Sequence, residues 1–66
     1  MISQVKLIRQ KLLLTQVEFA KLLGLSKQMI NNYEAGRNKP SMVMIKKLME
    51  LCQEKGIEIK AEDFFA

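Results

Sequence analysis

The stretch LTQVEFAKLLGLSKQMINNYEAGRNKP, Leu14 to Pro40, decides how this chain is read. Thr15 with Glu18 three residues on has the spacing of a capping box, in which a hydroxyl accepts from a backbone amide while the carboxylate reaches back. That predicts a helix from Thr15 with Val17, Phe19, Ala20 and Leu23 as its buried candidates. Gly24 ends it, since glycine adopts a left-handed backbone at little cost. Leu25 follows as an apolar plug, and Ser26 is the next N-cap. From Ser26 to about Tyr33 a rotation of about 100° per residue puts Met29, Ile30 and Tyr33 on one arc. The same rotation puts Lys27, Gln28, Asn31 and Asn32 on another. Every outward side chain between 27 and 32 is a donor or a donor-acceptor, and none is acidic. Gly36 and Pro40 then mark EAGRNKP as a basic loop.

Outward from this stretch lie two further helices. Ser3 can cap a helix running to about Leu12, with Val5, Ile8 and Leu12 at the spacing of one face. Its end, LLLT, lacks the glycine usual there. Ser41 caps a fourth helix with Ile45, Leu48, Met49 and Cys52 at core spacing, and Met42, Met44 and Met49 read as core filler. Gly56 stops it. IEIKAEDFFA follows, either extended or irregular over Ile57 to Lys60, then a short helical turn at Ala61 to Phe65.

At 66 residues the chain has room for one domain, residues 1–66, with a thin core. It contains no histidine and a single cysteine, Cys52, so zinc constellations and Ser-His or Cys-His nucleophiles cannot be assembled from it. No enzyme, metal or cofactor is expected. Neither a membrane span nor a secretory leader is legible, so the expected location is cytoplasmic. The net charge of +4 is uneven: residues 1–47 carry +7 and residues 48–66 carry −3. A basic body suggests a polyanion partner, and the acidic end something else.

Two helices joined by a short glycine turn, the second with a basic-to-neutral polar face, form a helix-turn-helix, here at about 15–33. On the TQ opening, on the frame of Ser26, Ile30, Tyr33, Glu34, Gly36 and Pro40, and on the spacing between them, the chain resembles the phage repressor and Cro (lambda repressor-like, Xre) family over nearly its whole length. The resemblance implies an all-α, compact five-helix fold, a homodimer on a pseudo-palindromic operator, and repression. It departs at Leu13, where members often have glycine, which implies a strained or differently shaped first turn. Family-like docking puts the helix after Ser26 in the major groove. There Gln28 and Asn32 can bridge adenine N7 and N6, Lys27 can donate to guanine, and Asn31 can reach a base or a phosphate. Gln16 is similar to the family's glutamine that holds the DNA backbone and buttresses the reading glutamine. Ser26, Arg37, Asn38 and Lys39 are the other backbone contacts expected. Arg9 and Glu34 resemble a pair forming a partly buried salt bridge in relatives. Of the adjacent Phe64 and Phe65, one is expected to close the core and the other to serve a dimer interface. The alternative reading is an antitoxin whose C-terminal segment binds a toxin and whose DNA contact is autoregulatory.

Overall fold

The computed structural model describes residues 3–64. Four α-helices follow one another: α1 (Gln4–Lys11), α2 (Gln16–Leu23), α3 (Lys27–Glu34) and α4 (Met42–Glu54), with a 3-10 turn at Ala61–Phe64. That turn stands where a fifth helix was expected. Residues 57–60 are irregular, and Phe65 lies outside the described residues.

Each helix begins where a hydroxyl residue can cap it. Ser3, Thr15, Ser26 and Ser41 accept from Lys6, Glu18, Met29 and Met44 amides respectively. In α2 the reciprocal bond is present as well, Thr15 N donating to Glu18 Oε1 at 2.9 Å. These hydrogen bonds hold the exposed Glu18 carboxyl below its ordinary pKa, the backbone amide of Thr15 contributing most and its hydroxyl next.

Val5, Ile8, Phe19, Ala20, Leu23, Ile30, Leu48, Leu51 and Cys52 share one buried cluster to which every α-helix contributes. Ala20 sits at 3% exposure, a small residue between helices that must approach closely. Burial pushes the Cys52 thiol up, as befits a cysteine packed as a small apolar side chain. Three expectations are corrected. Val17 is exposed, because it lies about 120° around the helix from Leu23. Met42 is 68% exposed and Met49 only half-buried, while Leu51 takes the core place, lying on the other side of Leu48. Met44 and Phe64 do pack against the core, so Phe64 belongs to the monomer interior.

The first inter-helix turn has the strain that the missing glycine implied. Leu13 adopts φ 59, the only positive φ among described non-glycine residues, and is 90% exposed. Around it Leu13 N bonds Gln10 O and Leu14 N bonds Arg9 O, the pattern of a helix ended by a left-handed residue. A Cβ in that conformation costs roughly 1–2 kcal/mol, and the side chain recovers little by packing. Leu13→Gly is therefore expected to raise stability by about 1 kcal/mol in urea unfolding; a loss would mean the leucine packs where we find it exposed.

Candidate nucleic-acid interface

The turn between α2 and α3 is held from both ends. Gly24 adopts φ 71, Gly24 N bonds Lys21 O, and Leu25 N bonds Ala20 O at 2.8 Å. The last carbonyl of α2, Leu23 O, accepts from Lys47 Nζ of α4 at 2.8 Å. A cation on terminal carbonyls satisfies an orphan acceptor and complements the negative end of the helix. Lys47 and Leu23 are 24 positions apart, and only folding brings them together.

A second clamp fixes the other end of the motif. Arg9 donates to Glu34 twice, Nε to Oε2 at 2.6 Å and NH2 to Oε1 at 3.1 Å, and through NH1 to Leu14 O at 2.9 Å. This is a two-pronged ion pair with side-chain exposures of 17% and 6%. Its carboxylate also accepts from Gln16 Nε2 at 3.1 Å. One guanidinium thus ties α1 to the strained turn and the end of α3, and the carboxylate it holds ties in the start of α2. Gln16 bonds Glu34 and not Gln28.

Between the clamps α3 turns Ile30 inward at 0% exposure. Ser26, Lys27 and Gln28 are exposed, and Asn31 and Asn32 are half-exposed on the same side. Gln28 Nε2 donates to Asn32 Oδ1 at 3.1 Å, and Arg37 NH1 reaches the same oxygen at 3.5 Å. Gln28 keeps its carbonyl oxygen and one N–H, the acceptor and donor that adenine requires. With its oxygen taken twice, Asn32 holds Gln28 and presents donors only. Arg37 is brought there by the loop: Gly36 adopts φ 77 and Arg37 N bonds Asn32 O at 2.9 Å, closing α3. Asn38 Nδ2 lies 3.9 Å from Met29 Sδ. Lys27 and Lys39 are exposed and form neither hydrogen bond nor ion pair with the described residues.

Amides, a free lysine at the helix start and a basic loop thus lie along one edge, unaccompanied by a carboxylate except Glu34, which Arg9 neutralises. A family model described as Helix-turn-helix, of the Xre/Cro/C1-like kind, matches residues 5–59. The chain belongs to this helix-turn-helix family. Its members' domain is a DNA-binding regulatory one, and in this member the two clamps bond the α2–α3 unit to α1 and α4. No curated protein and no solved structure matches the chain. Among the described residues no three His, Cys, Asp or Glu side chains group to hold a metal, and no described helix is long and apolar enough to cross a membrane.

Proposed function

We propose that this protein is a sequence-specific transcriptional regulator of the Cro-like repressor kind, binding a pseudo-palindromic operator as a homodimer. The single observation that carries this is the outward face of α3: Lys27, Gln28, Asn31 and Asn32 with no acid among them, flowing into Arg37 and Lys39. Such a face suits the major groove, where helix side chains meet base edges. Gln28 reads adenine, steadied by Asn32; Lys27 donates to guanine; Asn31 takes a base or a phosphate. Gln16, Ser26, Arg37, Asn38 and Lys39 follow the sugar-phosphate backbone and set the register without reading it. Repression follows from occupying the promoter.

Two substitutions separate reading from holding. Gln28→Ala is expected to leave the fold intact, to cost ~1–3 kcal/mol on the preferred operator, and to relax discrimination at one base pair in each half-site. Arg37→Ala is expected to weaken operator and random duplex alike. The operator is obtained by selection from a randomised duplex pool, and binding is then measured to it and its single-base variants. Uniform loss by Gln28→Ala across all duplexes contradicts the placement of α3 in the groove.

A further inference from the structure

Among the described residues one hydrogen bond joins α4 to the α2–α3 unit, that from Lys47 Nζ to Leu23 O at 2.8 Å. The bonds that the turn makes for itself are local: Gly24 N to Lys21 O, Leu25 N to Ala20 O, and Met29 N to the Ser26 hydroxyl. They fix its shape but not where it stands against the rest of the molecule. Leu48, Leu51 and Cys52 of α4 join the shared apolar cluster, and apolar packing is non-directional. Lys47 supplies the direction. Its ammonium lies over the left-handed residue itself, 3.9 Å from where a Cβ on Gly24 would stand.

The consequence falls on α3, which has 8 residues and so a length of about 12 Å. Arg9 fixes its end through Glu34, and its start lies just beyond the carbonyl that Lys47 holds. Without Lys47 the helix is free to pivot on the Arg9–Glu34 pair. A tilt of about 5° then carries its start by about 1 Å, more than the whole range of good hydrogen-bond lengths. Lys27 and Gln28, on the first turn, move most; Arg37 and Lys39, in the loop beyond Glu34, move least. We infer that Lys47 is a positioning residue for sequence reading: by capping the end of α2 it sets where Lys27 and Gln28 enter the major groove, and it reads no base itself. The inference rests on the DNA-binding reading above and adds to it a determinant of specificity outside the reading helix. The competing role for an exposed lysine is direct phosphate contact, since the bond to Leu23 uses one of its three donors.

Two variants separate these roles. Lys47→Met keeps the apolar stem and removes the donor, while Lys47→Arg keeps a cation that donates. Each is titrated with the selected operator and with random duplex at several salt concentrations. The ratio of the two affinities decides, because a partly unfolded population lowers both in proportion and leaves the ratio alone. Lys47→Met is expected to lower that ratio about tenfold, with the loss concentrated at the base pairs met by Lys27 and Gln28. Its affinity for random duplex is expected to stay within about twofold of wild type, with the salt slope unchanged. Lys47→Arg is expected to keep most of the wild-type ratio. Equal losses on both duplexes, with a slope shallower by about 2, make Lys47 a phosphate contact and overturn the inference. A ratio untouched by Lys47→Met overturns it too, as does a loss by Lys47→Arg as large as that by Lys47→Met. Hydrogen exchange of the free protein keeps this inference apart from the DNA-binding reading. The Leu25 amide, bonded to Ala20 O, is expected to exchange faster in Lys47→Met, with the Leu12 amide of the first turn unchanged. A wild type that binds no duplex defeats the DNA-binding reading, and faster exchange at Leu25 then still shows Lys47 fixing the turn. Exchange at Leu25 equal to wild type defeats the positioning role whatever the duplexes show.

Discussion

Arg9→Ala is expected to remove about 3–5 kcal/mol of stability, the cost of leaving a buried charge without its partner. Glu34 would keep only the neutral amide of Gln16 on a side chain 6% exposed, and Leu14 O would lose its donor as well. A chain of 66 residues has roughly 3–10 kcal/mol in total. The variant is therefore expected to lose about a third or more of its stability and to unfold at a much lower urea concentration. Glu34→Ala is expected to cost less, because the Arg9 it strands is 17% exposed and retains Leu14 O. Arg9→Met combined with Glu34→Leu is expected to recover much of the loss, since replacing both members of a buried pair by apolar groups is often neutral or better. Urea unfolding of the four proteins measures all of this. A cost under ~1 kcal/mol for Arg9→Ala would place the pair with ordinary solvated surface pairs and remove the clamp.

The largest expected effect on function is that of salt. With Arg37 and Lys39 each neutralising one phosphate in both copies, the log-log slope of affinity against salt is expected near −4, from about −0.9 per phosphate. Between 50 and 200 mM salt, affinity then falls on the order of a hundredfold. Arg37→Ala removes two contacts per dimer and is expected to make the slope shallower by about 2. Titrations of a labelled operator across that range give the slopes directly. A slope near zero for the wild type would exclude phosphate contact and with it the nucleic-acid reading.

What could be read from the sequence was local. Four helix starts follow from four hydroxyl residues, and each cap is made within three residues. The outward grouping of Lys27, Gln28, Asn31 and Asn32 follows from rotation alone, because a helix fixes the bearing of every side chain relative to its neighbours. The turn at Leu13 was legible as a glycine position without glycine. Family resemblance, not spacing, supplied the Arg9–Glu34 pair.

Tertiary structure decided which of several apolar faces became the inside. Rotation gives α4 two candidate stripes, and only packing against α1, α2 and α3 gave Leu51 to the core and left Met42 and Val43 in solvent. It likewise decided where long polar side chains spend their donors. Gln16 and Lys47 each have several atoms of reach, and nothing within a few positions of either names its acceptor. Glu34 and the Leu23 carbonyl lie 18 and 24 positions away and become neighbours only when the helices pack. A sequence states the direction of a side chain along its own helix; which group stands at the end of that direction is a property of how the helices are stacked.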